Sequence, residues 1–264
     1  MIDAHCHLEQ KDFDNILKEV IERCRSSGLR AVITCCAHPA VFEKTMSISE
    51  TFAGFVFPTI GIHPEYINKI KENEKDALLD NIKKNRDKIV GIGEIGLDYS
   101  WIKERRLHER QQELFKEMLE FAVSLDKPVI IHIRGGQEYR DEAFKHAIKI
   151  LEDVNPARVL LHLFSSKTFL SQIMQNGWFI SIGPIIAHSK TIKKMARDMP
   201  LERILLETDS PWFGGKDESG RPLIGEPTNI RIPAAEIAKV KKLSFEDVWK
   251  RCGENAARFY KLDV

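Results

Sequence analysis

No window of this sequence approaches the run of about 18 apolar residues that a membrane-spanning helix needs. Asp3 and His5 stand where a secretory signal would carry basic residues and then an apolar stretch. Charge of one sign is equally lacking. Forty basic residues against 39 acidic ones leave a formal charge of +1, so no global field draws the chain to nucleic acid or to anionic lipid. Any grip on a polyanion has to be local. C-x-x-C pairs are absent too. The five cysteines (Cys6, Cys24, Cys35, Cys36 and Cys252) are odd in number and irregularly spaced, so neither a disulfide framework nor a structural zinc finger is indicated. The expected compartment is the reducing cytoplasm. There is no internal repeat and no low-complexity tract. The one long irregular stretch, rich in Gly and Pro, is Ser210 to Asn229.

What the chain does have is 264 residues, 43% of them hydrophobic, which is enough for two small domains or for one α/β barrel of roughly 250 residues. The pattern of apolar runs decides between these. Short runs occur at Met1 to His5, Ala31 to Cys35, Gly54 to Ile62, Ile89 to Ile95, Pro128 to Ile133, Val159 to Leu163, Trp178 to Ile182 and Ile204 to Glu207. Between them lie stretches with helical spacing, such as Phe115, Met118, Leu119 and Ala122, or Ile148 and Leu151. Eight strand-then-helix units imply right-handed crossovers and a closed parallel sheet, so the expected fold is a TIM-type (β/α)8 barrel with residues 1–264 as a single domain. Local punctuation agrees. Gly28 and Gly54 stand as helix stops, and Ser244 with Asp247 three residues on predicts a capped helix over Phe245 to Tyr260.

In such a barrel the site lies at the C-terminal ends of the strands. Here those ends carry one kind of chemistry. The first run, D-A-H-C-H-L, points His5 and His7 to the same side by its period of two, with Cys6 pointing the other way. The third run ends in G-I-H-P with His63, the fourth in G-E-I-G-L-D with Glu94, the fifth at His132, the sixth at His162, and the eighth in E-T-D-S-P with Asp209. One histidine at a strand end is ordinarily a core residue hydrogen-bonded to a carbonyl. With His63 left aside as surplus, four imidazoles and two carboxylates buried at one rim would cost several kcal/mol per unpaired charge unless cations neutralise the carboxylates and use the imidazole lone pairs. Two divalent ions are therefore expected. His5, His7, Glu94 and Asp209 can surround one, and His132 and His162 with the second oxygen of Glu94 can hold the other. A hydroxide bridging ions roughly 3.5 to 4 Å apart would attack an electrophilic carbon or phosphorus, with Asp209 as the proton acceptor. Zn, Mn and Mg are all compatible with this donor set.

The ordered set D-A-H-C-H-L, G-I-H-P, G-E-I-G-L-D-Y, I-I-H-I-R, H-L-F-S, E-T-D-S-P-W and, near the end, C-G-E-N-A-A-R-F-Y resembles the TatD family of metal-dependent deoxyribonucleases across nearly the whole chain. The resemblance implies the same two ligand groups, with Glu94 shared, and hydrolysis of DNA phosphodiester bonds, with removal from a strand end. The expected partner is thus a DNA substrate bound at the barrel mouth. It also places the G-x-H-P histidine, His63, near the substrate, as a residue that supports the metal shell or serves the leaving group. Arg134 is the candidate phosphate clamp, through its planar donors. Departures concern the phosphate grip. Family members carry an Arg in R-N-E-P after the eighth strand where this chain has Gly225-Glu226-Pro227, H-L-F-S-S replaces H-C-F-S-G, and Gly135-Gly136 replaces a bulkier pair. The clusters Lys103 to Arg106 and Lys190 to Arg197 read as solvated helix faces. The competing chemistry is a related barrel acting on an ester or amide, such as an aminoacyl-tRNA ester. Barrels of that kind often bridge their metals with a carboxylated Lys on strand four, where this chain has Glu94.

Overall fold

In the computed structural model, which describes residues 1–264, the eight apolar runs become eight strands: β1 (Ile2–Cys6), β2 (Ala31–Cys36), β3 (Val56–Ile60), β4 (Gly91–Asp98), β5 (Val129–Arg134), β6 (Val159–Leu161), β7 (Phe179–Ile182) and β8 (Ile204–Leu206). Between and after them come α1 (Leu17–Ser26), α2 (Phe42–Thr51), α3 (Glu72–Lys84), α4 (Arg105–Ser124), α5 (Arg140–Val154), α6 (Leu170–Gln175), α7 (Lys190–Asp198), α8 (Arg231–Lys241) and α9 (Phe245–Tyr260). The strands form one sheet in the order β1-β2-β3-β4-β5-β6-β7-β8, and the expected (β/α)8 barrel class holds. β1, β2, β4, β6, β7 and β8 are buried at every residue. A parallel sheet covered on both faces requires this, and it is why the runs are continuous and not alternating. The third run starts two residues later than expected because Gly54, at φ +79°, still belongs to the turn.

Contacts divide the chain into two compact units. The first comprises Met1–Thr34, Ser47–Phe57 and Leu163–Val264. In it β1 pairs with β2 (Ile2 opposite Ala31) and β7 with β8 (Ile180 opposite Ile204), all parallel. Beyond β8 the chain is tied to β1, with Asp209 N donating to His5 O (3.0 Å) and His7 N donating to Ser210 O (2.7 Å). Helix α9 covers this part. Ser244 caps it through Asp247 N, and Val248, Cys252, Ala256 and Phe259 form the buried stripe. Each large side chain so buried adds roughly 1.5–3 kcal/mol. Asn255 Nδ2 donates to Leu201 O and Ile204 O, and the Tyr260 hydroxyl donates to Ala4 O, which fixes the helix against β8 and β1.

The second unit comprises Cys35–Met46 and Pro58–His162. β3, β4, β5 and β6 run parallel in it, with Ile60 opposite Ile92, Gly96 opposite His132 and Val129 opposite Val159. Phe115, Met118, Leu119 and Ala122 of α4 are buried together, as their spacing predicts. No helix of the protein is long and apolar enough to cross a membrane.

Candidate metal centre

In the first unit, His5 is the fourth residue of β1, and His7 follows its end, both buried. Their Nε2 atoms are 3.0 Å apart, and each lies 3.6 Å from Asp209 Oδ1. Cys6 points the other way, its thiol donating to Ile33 O, as strand alternation requires. His7 Nδ1 donates to Glu9 Oε1 at 3.1 Å, so its Nε2 lone pair faces His5 and Asp209. Asp209 has φ +52°, and its N–H bond to His5 O sets the turn that returns its carboxylate to β1. Asp3 supports this corner from below. It accepts from the His5 and Thr208 amides and from the Thr208 hydroxyl (2.6 Å), and burial raises its carboxyl well above the usual range despite those bonds.

In the second unit, Glu94 of β4 is the hub. Its Oε1 lies 2.8 Å from His132 Nδ1, 3.5 Å from His63 Nε2 and 3.8 Å from His162 Nε2. Burial alone would raise the Glu94 carboxyl, but His63, His162 and His132 outweigh it and hold it well below the ordinary carboxylate range. The glycines of G-E-I-G are what allow the approach. A Cβ at Gly96, whose φ is +143°, would sit 2.0 Å from His132 O. Only glycine therefore lets β5 bring His132 against Glu94. His132 Nε2 donates to Asp98 Oδ2 at 2.9 Å. Burial would lower this imidazole, but Asp98 and Glu94 push it up to about 9. Asp98 is in turn fixed by the Ser100 and Trp101 amides on its Oδ1, and Gln111 braces its backbone. His63 Nδ1 accepts from Glu65 N (3.2 Å), so a neutral His63 carries its proton on Nε2, toward Glu94.

Each unit thus gathers its share of the residues expected from the sequence: His5, His7 and Asp209 in one, Glu94, His132, His162 and His63 in the other. The donor atoms of His63, Glu94 and His132 lie within 4.8 Å of one another, a spacing a metal ion could use. The donor chemistry also fits a cation in the first unit. Two imidazole nitrogens and a carboxylate oxygen converge there, and the outer nitrogen of His7 is held by a carboxylate. Arg134 ends β5 exposed, with its guanidinium 5.8 Å from the Trp101 ring centroid. Lys193 and Arg197 pair with Glu236 and Asp198, and Arg106 pairs with Glu104, as solvated helix faces do. Glu226, which lacks the family's preceding Arg, receives two hydrogen bonds from Arg23 (2.9 and 2.7 Å). Sequence reasoning missed Glu9, Asp3 and the role of Asp98. Asp98 had a signal, standing four residues after Glu94 on one strand. Glu9 had only its place two residues after His7.

Parallel strands that end in imidazoles and carboxylates, with further carboxylates holding the outer imidazole nitrogens, define a metal-dependent hydrolase of the TIM-barrel class. Known proteins narrow this further. The model of TatD related DNases matches residues 2–261. Human deoxyribonuclease TATDN3 is 32% identical over 269 residues, covering 98% of this chain and 94% of that protein. An uncharacterized metal-dependent hydrolase of Methanocaldococcus jannaschii is 30% identical over 266 residues, covering 98% and 96%. Among solved structures, the TatD homologue YJJV of Escherichia coli has the same fold, with a TM-score of 0.87 at 24% identity over 99% of this chain and 98% of that one. The chain belongs to the TatD family.

Proposed function

We propose that the protein hydrolyses phosphodiester bonds of DNA at a centre of two divalent ions, releasing nucleotides from a strand end. The observation that carries this reading is the pairing of orientations around the imidazoles: Glu9 holds the outer nitrogen of His7 and Asp98 that of His132, while Asp209 and Glu94 face the inner ones. Carboxylate–histidine pairs of this kind fix tautomers for metal binding. In this reading His5, His7, Glu94 and Asp209 hold one ion, and Glu94, His132 and His162 hold the other. When bound, such ions acidify water toward neutrality and polarise a phosphate oxygen. The residues supply the rest. Asp209, buried but with its carboxylate 3.6 Å from two imidazoles, takes the proton of the attacking water. His63, with Nδ1 committed to Glu65 N and Nε2 3.5 Å from Glu94 Oε1, supports that carboxylate, and its Nε2–H would serve the leaving oxygen once the ions engage Glu94. The family membership supplies phosphorus as the electrophile. All five cysteines are buried thiols outside any disulfide, which suits the cytoplasm.

The test is hydrolysis of 5′- and 3′-end-labelled single-stranded oligonucleotides with Mg, Mn, Co or Zn, followed by product length over time. A ladder that shortens from one end is expected. Asp209→Asn should lower turnover by at least ~10²-fold, the scale of a lost general base. Wild-type protein that releases no nucleotide with any of these metals, yet turns over an aminoacyl ester, would overturn the reading.

A further inference from the structure

The loop after β8 carries four large apolar side chains that the fold leaves in water: Trp212 (48% exposed), Phe213 (39%), Leu223 (50%) and Ile224 (44%). The loop is not slack. Gly225 N donates to Pro211 O (2.7 Å), Leu223 N to Gly215 O (3.0 Å) and Trp212 N to Asp209 O (3.1 Å). Its two limbs pass so closely that a Cβ at Gly225 would lie 2.1 Å from Trp212 O, and one at Gly214 would lie 2.1 Å from Leu223 O. Phe213 takes φ +59°, a left-handed conformation uncommon for a bulky residue. The Trp212 ring meets His7 edge-on, with centroids 4.9 Å apart at 71°. Nδ1 of that imidazole donates to Glu9. An exposed indole is therefore fixed directly beside a residue of the candidate metal centre, on a strap already ordered by its own backbone.

We infer that Trp212 is a nucleobase platform: its ring stacks on the base of the nucleotide whose phosphate enters the site, with Phe213 beside it. This rests on the DNA-hydrolase reading and adds how the strand is gripped. Base–aromatic stacking tolerates every base, because each has a π-face, but it needs a base that is not already paired and stacked. The platform accordingly selects single-stranded or frayed ends without sequence preference. A pinned loop loses little freedom on binding, so more of the stacking energy appears as affinity. A second copy of the chain is the other occupant such a patch could take. Four side chains half exposed offer only roughly 400 Å², against the roughly 800 Å² per partner of a stable interface.

The experiment is equilibrium binding of a fluorescein-labelled single-stranded oligonucleotide, with normal bases or with one terminal abasic residue, to calcium-loaded wild type, Trp212→Ala and Trp212→Phe, with circular dichroism and gel filtration on each. The wild type should bind the normal strand about tenfold more tightly than the abasic one. That difference should vanish in Trp212→Ala and largely return in Trp212→Phe. Equal affinity for the two strands in the wild type, an unchanged difference in Trp212→Ala, or a wild-type dimer that Trp212→Ala converts to a monomer would overturn the platform. Hydrolysis is read separately. A base-dependent affinity lost in Trp212→Ala, in a protein that cleaves no DNA, would sink the nuclease reading and leave the platform standing.

Discussion

Glu9 Oε1 lies 3.1 Å from His7 Nδ1, and through this contact a residue outside the proposed ligand set decides which nitrogen of His7 faces His5 and Asp209. Glu9 is itself fixed, since Gln10 Nε2 donates to its Oε1 and the Thr34 hydroxyl lies 3.5 Å from its Oε2. The arrangement does two things for a metal ligand. It fixes the imidazole tautomer, and it makes the inward nitrogen a better donor.

Glu9→Ala should therefore weaken metal binding by about 10–100-fold, the usual cost of losing such a partner, while the far-ultraviolet circular dichroism stays that of the wild type. Glu9→Gln, which still offers an oxygen to Nδ1–H, should lie between the two. Competition against a fluorescent chelator reads the affinities. Wild-type affinity in Glu9→Ala would mean that His7 is oriented by something else.

Glu94 Oε1 faces three imidazoles, those of His63, His132 and His162. Protein reconstituted with excess divalent metal and desalted should hold about two ions per chain, since one carboxylate can serve both. Glu94→Gln keeps the volume but loses the charge, so both ions should weaken together. His162→Ala, which on the proposed assignment removes a ligand from one group only, should empty chiefly one site. Elemental analysis of the three proteins decides the matter. No more than one ion in the wild type under every metal tried, or two tightly held ions in Glu94→Gln, would refute the shared-ligand assignment.

The strands could be read from the sequence because a parallel sheet buried on both faces leaves unbroken apolar runs, so Ala31 to Cys35 or Val159 to Leu163 stands out with no alternation to confuse it. Helix α9 was legible to the residue because its start is written in side-chain chemistry, Ser244 Oγ accepting from Asp247 N. The inward-facing residues were legible for a related reason: imidazoles and carboxylates are expensive to bury, and strand ends place them predictably. What escaped were the residues that act on those residues. Nothing in the spacing of Glu9 or Asp98 says which imidazole nitrogen it will hold, because that depends on ring rotation. The Arg23–Glu226 pair spans 203 positions, so no local pattern could announce that α1 supplies the guanidinium. Trp212 stands in the sequence only as the last residue of E-T-D-S-P-W. Its exposure is a property of the loop's backbone bonds, which no periodicity encodes.

The five thiols give a prediction that is independent of any metal. Burial pushes Cys24 up to about 12, with Asp3 and Glu226 adding to it, and burial pushes Cys252 up to about 12 as well. Both are fully buried, so in the folded protein at pH 8 each is an inaccessible, protonated thiol. Iodoacetamide should then leave the native chain unlabelled over hours and label all five cysteines in guanidinium, as counted by mass spectrometry. The same shift fixes a sign for stability. The folded state keeps a proton that the unfolded chain loses near pH 8.5, so the contribution is fully present below that pH and falls away between about 8.5 and 12. Unfolding free energies from urea titrations should decline with rising pH across this window, by up to about 1.4 kcal/mol per pH unit for each thiol. In Cys24→Ala/Cys252→Ala the decline should be shallower, although that variant starts from a lower stability because of the cavities it opens. Rapid labelling of Cys24 or Cys252 in the native state, or an equal slope in the double variant, would show that these thiols exchange with solvent without unfolding.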